Sequence, residues 1–277
     1  SAILQDTTGI LSLSTPPSPD ESLIRSSLLP NLCKAVAKNE RFFTEFSIFE
    51  CAQVFRDADY TTPYDSREKL PSQRKNIAGA FAGDSKNVTG LFRRAKGVIE
   101  SMPRYTHMEG FTFRQEEKPL WADDVVWLNI CLGDKHIGNL ALLNKKASMA
   151  CGIKNLSVML FELDADALVP FRSRTNSFTH LAEYPMTDYD VSLLFDAETK
   201  WADMQRILSG IHNELFHGAA FVDEYHGKQI PEGKKSVTIR LTIGSTEKTL
   251  TSAEIEACAA SAVKKLVKNL GAELRGK

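Results

Sequence analysis

Residues 237–243 read Val237-Thr238-Ile239-Arg240-Leu241-Thr242-Ile243, and apolar and polar side chains alternate strictly along them. Because successive side chains of a strand point to opposite faces of a sheet, this pattern predicts a half-buried β-strand. The segment Thr251-Ser252-Ala253-Glu254 then has the spacing of a capping box, which marks the start of a helix. An apolar stripe follows at helical spacing, and Gly271 is placed to end that helix.

The residues before this segment predict a strand and a helix in the same order. Alternation over 189–195 indicates a strand, and a helix with Thr199 as its N-cap is indicated by the stripe Trp201, Met204, Ile207, Leu208, Ile211 and Leu215. Residues 221–225 are predicted to form a second strand, 226–233 a hairpin loop and 272–275 a short final strand. The order βαββαβ is the ferredoxin-like arrangement, in which helices cover one face of an antiparallel sheet.

The uncovered face of this sheet would carry polar side chains. If the apolar residues of 237–243 face the helices, the other face receives Ser236, Thr238, Arg240 and Thr242. By alternation, the neighbouring strand adds Phe221, Asp223 and Tyr225 on one side. An aromatic ring, a carboxylate and a hydroxyl grouped in this way can stack on an unstacked base and form hydrogen bonds with it.

The basic residues near this face are candidates for neutralising phosphates; they are Lys234, Lys235 and Arg240. The residues alone leave an alternative open. In that alternative, Tyr225 packs on the sheet edge and the two lysines only solvate a turn.

Residues 21–170 predict a separate α+β domain of antiparallel strands with flanking helices. Apolar stripes indicate helices within 28–37 and 86–101, and strands are predicted at 46–55, 77–82, 125–132, 136–143 and 157–163. The polar residues 171–182 predict a linker, and the proline-rich residues 1–20 predict an extended N-terminal segment. The ferredoxin-like domain then occupies residues 183–277.

Short motifs along nearly the whole chain occur in the order of one known family. They include Leu23-Ile24-Arg25-Ser26-Ser27-Leu28-Leu29-Pro30, Ile48-Phe49-Glu50-Cys51-Ala52-Gln53-Val54-Phe55, Phe161-Glu162-Leu163-Asp164, Phe221-Val222-Asp223-Glu224-Tyr225, Gly233-Lys234-Lys235-Ser236 and Gly271-Ala272-Glu273-Leu274-Arg275. Together they resemble the β subunit of bacterial phenylalanyl-tRNA synthetase. Any one motif is weak, but their shared order makes coincidence a poor explanation.

The resemblance implies a class II synthetase-like, non-catalytic module at residues 21–170, which braces the α subunit of an α2β2 enzyme. It implies tRNA(Phe) and the synthetase α subunit as partners, and neither DNA nor a membrane. ATP and magnesium are implied for the whole enzyme, with no cofactor in this part. The family contacts the first anticodon base from positions that correspond to Asp223, Tyr225 and Ser236 of this chain.

One segment departs from the family pattern. The family usually has Pro-x-x-Arg-Arg-Asp before the first strand of its anticodon-binding domain. Here the segment is Pro185-Met186-Thr187-Asp188-Tyr189-Asp190, and both arginines are missing. Contacts to the RNA backbone that depend on those arginines are therefore not expected.

Composition limits the classes of partner and location. With 277 residues, 43% hydrophobic and 25% charged, the chain is expected to be soluble and to build two cores. The formal net charge of −1 provides no global basic field, which weakly opposes RNA binding. Five cysteines, mostly within apolar runs, predict buried free thiols of a reducing compartment, and a cytoplasmic location is the expectation. Because the chain begins at Ser1, we interpret it as a fragment without the family's editing module and without the module that carries acidic magnesium ligands.

No residue pattern predicts a catalytic or metal site. His180, His212, His217 and His226 fit no tight ligand spacing, and the serines lack a Gly-x-Ser-x-Gly elbow. The acid pairs at 123–124 and 164–166 are typical of caps and solvated turns. This chain alone is therefore expected to be inactive. Two other classes remain open: a ferredoxin-like metabolite-sensing regulatory module with no RNA role, and a hydrolase, which would need a nucleophile.

Overall fold

A computed structural model describes Leu4 and residues 10–18, 22–56, 71–171, 183–227 and 229–274. The chain divides into two compact units, unit 1 at Ser1–Ser177 and unit 2 at Phe178–Lys277. The predicted linker lies outside the described residues except for Phe171, and the predicted N-terminal segment is described only at Leu4 and 10–18. Within 10–18, Ser12 forms an isolated antiparallel bridge with Leu23.

Unit 1 is built on a six-stranded antiparallel sheet. Its elements are α1 (Leu29–Asn39), β1 (Phe46–Arg56), β2 (Ser72–Gly83), α2 (Val88–Thr106), β3 (Thr112–Arg114), β4 (Ala122–Leu132), β5 (Lys135–Leu143), α3 (Lys145–Ala150) and β6 (Ser157–Asp164). The strand order is β1-β2-β6-β5-β4-β3. β1 and β3 are therefore the edges of this sheet.

Helices cover both faces of this sheet because its central strands are apolar on both sides. On β2, Ala80 belongs to the core with α1, whereas the adjacent Phe81 belongs to the core with α2. On β6, Leu160 and Met159 divide between the two cores in the same way. Each strand therefore contributes alternate side chains to two separate cores.

The structure extends or adds to several predicted elements of unit 1. β2 begins at Ser72 instead of residue 77, because its first five residues are polar and gave no apolar signal. The three-residue β3 and the six-residue α3 were not predicted, and both are too short to show a period. A turn at Gly133-Asp134 joins β4 to β5, and Gly133 has a φ of 60°, which favours glycine.

Unit 2 confirms the ferredoxin-like prediction. Its elements are β7 (Thr187–Asp196), α4 (Trp201–Ser209), β8 (Phe216–Tyr225), β9 (Lys234–Ile243), α5 (Ser252–Leu270) and β10 (Glu273–Leu274). The antiparallel sheet has the order β10-β7-β9-β8. Side chains from one face of the sheet and from α4 and α5 form one core around Phe195, Ile239, Leu241 and Leu266. The α+β class is thus confirmed for both units.

The prediction for the first helix of unit 2 is wrong in both the length of the helix and its N-cap residue. Lys200, not Thr199, is the N-cap residue of α4, and the helix ends at Ser209 before Gly210. Ile211 and Leu215 still pack against the core, but from a turn in which the Leu215 amide donates to Asn213 Oδ1. Helical spacing alone could not distinguish this turn from a further helical turn.

The predicted capping box of the second helix is present. The Glu254 amide donates to Thr251 Oγ1, and the Thr251 amide donates to Glu254 Oε2 at 2.8 Å. Gly271 ends α5 in the left-handed conformation with a φ of 63°. Both ends of this helix thus follow from the sequence.

The prediction that the cysteines are buried free thiols is confirmed only in part. All five are free; Cys33, Cys131 and Cys258 are buried, Cys151 is half-buried and Cys51 is exposed on β1. Cys51 alternates along β1 with the exposed residues Ser47, Phe49 and Gln53, so this face of the strand is uncovered. Among the described residues, no helix is long and apolar enough to cross a membrane.

Candidate functional site

The sheet of unit 2 has one face covered by helices and one open face. Val237, Ile239 and Leu241 of β9 are fully buried in the core with the helices. Side chains of directly opposed residues in an antiparallel pair lie on the same face. The open face can therefore be followed from the alternate β9 residues to their partners on β7 and β8.

A β-bulge in β8 changes the predicted composition of this face. The register shifts between Phe221, opposite Ile239, and Asp223, opposite Thr238. Phe221 consequently lies on the helix side, where its ring packs edge-on against Trp201 with centroids 5.6 Å apart. The prediction that Phe221 shares a face with Asp223 and Tyr225 is therefore wrong, because the bulge inserts one extra residue.

Asp223, Tyr225 and Ser236 lie on the open face, as alternation predicts. Asp223 and Tyr225 are exposed, with 44% of the Tyr225 surface accessible. Ser236 lies directly opposite Tyr225, but only 3% of its surface is accessible. The surface of this group is thus formed by a carboxylate and a phenol ring, whereas Ser236 is buried.

Gly227 sets the space that the Tyr225 ring occupies. A methyl group at Gly227 would overlap the Tyr225 hydroxyl and the ring carbons next to it. Only a residue without a side chain leaves the ring in its present position.

Lys235 is separated from the other predicted site residues. It lies on the helix side of β9, 7% exposed, and its Nζ pairs with Glu224 at 3.2 Å. His226 Nε2 lies 2.8 Å from the other oxygen of the same carboxylate. Burial raises the pKa of Glu224, but the hydrogen bonds from His226 and Lys235 outweigh it and hold that pKa below its ordinary value. Lys235 therefore stabilises the end of the hairpin and does not face the open side.

Lys234 and Arg240 lie on the open face but are already paired with acids of β7 and β10. Arg240 donates from Nε and Nη2 to the two oxygens of Asp190, each at 2.8 Å. These bonds lower the pKa of the Asp190 carboxyl and raise that of Arg240. Lys234 Nζ lies 2.9 Å from Asp196 and 3.4 Å from Glu273. Neither cation is free for a phosphate without giving up an acid partner.

Two further polar pairs complete a ladder between β7 and β9. The hydroxyls of Ser192 and Thr238 are 2.9 Å apart, and Thr242 donates to Asp188 at 3.0 Å. Strand residues that the register places on this face carry five acids and two bases, namely Asp188, Asp190, Asp196, Asp223 and Glu273 against Lys234 and Arg240. The described strand residues therefore make the open face acidic, and Asp188 contributes to this at its β7 edge.

Residues considered for catalysis are dispersed or have structural roles. His180 lies outside the described residues, and in the described part of the chain no three His, Cys, Asp or Glu side chains are grouped closely enough to hold a metal ion. Asp123 accepts from the amides of Val125 and Val126, and Asp164 accepts from the Ala167 amide. These acids act as caps and turn acceptors, as predicted.

Two family models match the chain, one in each unit. The model described as phenylalanyl tRNA synthetase beta chain CLM domain matches residues 4–165, and the ferredoxin-fold anticodon binding domain matches residues 182–275. The second match contains every residue of the open face given above. Neither match supports the alternative of a metabolite-sensing regulatory module.

The chain is also similar to full-length proteins. It is 26% identical over 274 residues to the phenylalanine–tRNA ligase beta subunit of Geobacter sulfurreducens and 28% identical over 276 residues to that of Oceanobacillus iheyensis. Each alignment covers 96% of this chain and 33% of the relative, so the chain spans about a third of the length of the curated relatives it matches. Among solved structures, pyrrolysyl-tRNA synthetase from Desulfitobacterium hafniense aligns with a TM-score of 0.45 and 14% identity, over 58% of this chain and 52% of that one.

Proposed function

Because the chain belongs to the phenylalanyl-tRNA synthetase beta chain family, we propose that it forms the C-terminal part of a phenylalanine–tRNA ligase β subunit. In this proposal, unit 2 binds the anticodon of tRNA(Phe), and unit 1 contacts the synthetase α subunit in an α2β2 enzyme. The chain itself catalyses nothing. ATP and magnesium serve the whole enzyme, which works in the cytoplasm.

The observation that carries the proposal is the exposed pair of Asp223 and Tyr225 on the open face of a matched anticodon-binding domain. The Tyr225 ring offers a flat surface for stacking, and the Asp223 carboxylate accepts hydrogen bonds from base N–H groups. Ser236 supplies a hydroxyl next to them. Lys234 and Arg240 border this group and contribute to phosphates only when their ion pairs open.

Filter binding tests this proposal with tRNA(Phe) and with a tRNA(Phe) substituted only at the first anticodon base. We expect the substituted tRNA to bind more weakly, and we expect Asp223→Asn to reduce the difference between the two tRNAs. Asp203→Asn is the matched control, because Asp203 lies on α4 and pairs with Arg206 there. Equal affinity of the unmodified chain for both tRNAs would contradict the proposal.

The contact with the α subunit is supported by apolar side chains near the edge strand β1. Phe42 and Phe43 are exposed just before β1, with ring centroids 6.5 Å apart. Phe49, which is 79% exposed, lies on the opposite, α2-facing side of β1, so a partner that covers all three must wrap around this edge strand. Groups of exposed aromatic residues in a folded protein mark interaction surfaces. We propose that the α subunit covers this group.

Co-purification with a tagged α subunit tests this contact. Phe49→Ser is expected to reduce the recovered α subunit, whereas Lys146→Ser, an exposed substitution on α3, is expected to leave it unchanged. Since Phe49 is exposed, neither change removes a core contact. Full recovery with Phe49→Ser would place the contact elsewhere.

The same proposal divides the chain functionally. Residues 1–20 form an extended segment, and residues 21–170 form the module that contacts the α subunit. Residues 171–182 form a linker, and residues 183–277 form the anticodon-binding domain. The ranges matched by the two family models, 4–165 and 182–275, support the position of this division.

A further inference from the structure

Unit 1 contains a polar cavity that plays no part in the proposed RNA and α-subunit contacts. Its volume is about 360 Å³, within the range of small-molecule sites in proteins. It lies at one end of the sheet, between strands β2, β5 and β6 and the residues that precede α1. Five polar residues of the strands carry the argument: Ser72, Arg74, His136, Glu162 and Asp164.

Glu162 is fixed in one orientation by three donors. Ser27 Oγ donates to Oε2 at 2.6 Å, and the Leu28 amide and Asn76 Nδ2 donate to Oε1 at 2.9 and 2.8 Å. On the neighbouring strand position, Arg74 and Asp164 form an ion pair. The charged groups of the lining are therefore held before any ligand arrives, which lowers the cost of ordering on binding.

Ser72 has an unused hydrogen-bonding group in this lining. Its hydroxyl is buried, and among the described residues it has no partner. Buried polar groups in folded proteins are normally paired. Because this hydroxyl is closed to solvent in its present rotamer, a ligand hydroxyl or amino group would supply the missing partner after the Ser72 side chain turns toward the cavity.

The lining also determines the ligand's charge and shape. The lining contains two carboxylates, Glu162 and Asp164, and one guanidinium, that of Arg74. Because Asp164 already neutralises Arg74, the carboxylate of Glu162 leaves a net negative charge that would repel an anionic ligand. Trp121, Leu29 and Val54 add an apolar wall against which a ring can pack. We propose that this cavity binds an uncharged ring compound of nucleoside size that carries hydroxyl or amino groups.

Isothermal titration of the 277-residue chain tests the proposal with adenosine, guanosine, cytidine and uridine as probes and with their 5′-monophosphates as matched anions. At least one nucleoside is expected to bind, and its monophosphate to bind at least about tenfold more weakly, because phosphate faces the carboxylates. Ser72→Ala is expected to weaken nucleoside binding about 2- to 10-fold, as loss of one hydrogen bond should. Ser85→Ala, at an exposed serine outside the lining, is expected to change nothing.

Circular dichroism of each variant shows whether a loss of binding is caused by a loss of folding. If Ser72→Ala does not fold, His136→Ala replaces it, because His136 lies in the lining but is exposed. Three results would overturn the proposal: no binding of any nucleoside, equal binding of a nucleoside and its monophosphate, or equal loss with Ser72→Ala and Ser85→Ala. The test uses no tRNA and no α subunit, so its outcome does not depend on the proposed function.

Discussion

At the scale of single residues, β8 and β9 show which side-chain positions the alternation of apolar and polar residues predicts correctly and which it does not. Alternation predicts Asp223 and Tyr225 on the open face, and the strand register confirms this placement. The same alternation places Phe221 on the wrong face, because Phe221 and Val222 are both apolar and the sequence does not reveal the extra residue of a bulge. The position of Lys235 on the helix side follows from alternation itself. Adjacent strand residues face opposite sides, so Lys234 and Lys235 cannot both lie on the open face.

Tyr225→Ala tests whether the phenol ring stacks on RNA. We expect the change to reduce the free energy of tRNA(Phe) binding by about 1–3 kcal/mol, the range for one stacked base. Thermal unfolding of unit 2 should stay cooperative, because the ring is exposed. Tyr225→Phe is the control, since it keeps the stacking surface and removes only the hydroxyl. Loss of cooperative unfolding in Tyr225→Ala would favour the alternative in which the ring packs on the sheet edge.

Gly227→Ala tests whether the position of that ring matters. The added methyl group would overlap the Tyr225 hydroxyl and force the ring to move. We expect weaker tRNA binding in the filter assay with little change in the unfolding temperature, because an exposed side chain can turn away. Gly110→Ala is a matched control in unit 1, where an added methyl group would contact nothing. Unchanged tRNA affinity in Gly227→Ala would show that the ring's present position is not needed.

At the scale of elements, the ends of helices were predictable where a side chain bonds the backbone. Thr251, Glu254 and Gly271 fixed both ends of α5 in advance. The end of α4 was not predictable, because Ile211 and Leu215 are apolar at helical spacing but pack from a turn. The strand pairs were predictable in order, whereas the ion pairs across β7 and β9 depend on register, which alternation leaves open.

The capping box predicts a specific dependence of stability on pH. Hydrogen bonds from Lys248 and from the backbone and side chain of Thr251 lower the pKa of Glu254 to about 2. A carboxyl with a lowered folded-state pKa stabilises the fold above its ordinary pKa of 4.5, and this contribution is lost as pH falls toward 2.

Glu254→Gln is therefore expected to lose less stability between pH 4.5 and about 2 than the unmodified chain, as measured by urea unfolding of unit 2. At neutral pH the variant should be the less stable of the two. Glu256→Gln is the matched control, an exposed glutamate two residues further along α5. An identical acid dependence in Glu254→Gln and the unmodified chain would contradict the role given to this carboxylate.

At the scale of the whole molecule, two α+β units were predictable because each has its own apolar periodicity. What the sequence could not reveal are the sites made by several strands together. Ser72, Arg74 and Asn76 lie before the predicted strand 77–82, yet they form the polar end of β2 and line the cavity of unit 1. The formal net charge of −1 does not reveal how charge is distributed, and the register places five acids and two bases on the open face of unit 2.

That charge distribution predicts a weak salt dependence of tRNA binding. Among the described strand residues of the open face, two are basic, Lys234 and Arg240, so the slope of log K against log salt should be no steeper than about −1.4 if these bases carry the phosphate contacts. Asp190→Asn weakens the ion pair that holds Arg240, and we expect tighter binding with a slope steeper by about 0.7. Filter binding in roughly 50–200 mM KCl measures both quantities, with Asp203→Asn on α4 as the control. A slope beyond about −3 for the unmodified chain would mean that phosphate contacts outside the open face dominate, and recognition by Asp223 and Tyr225 would then be secondary.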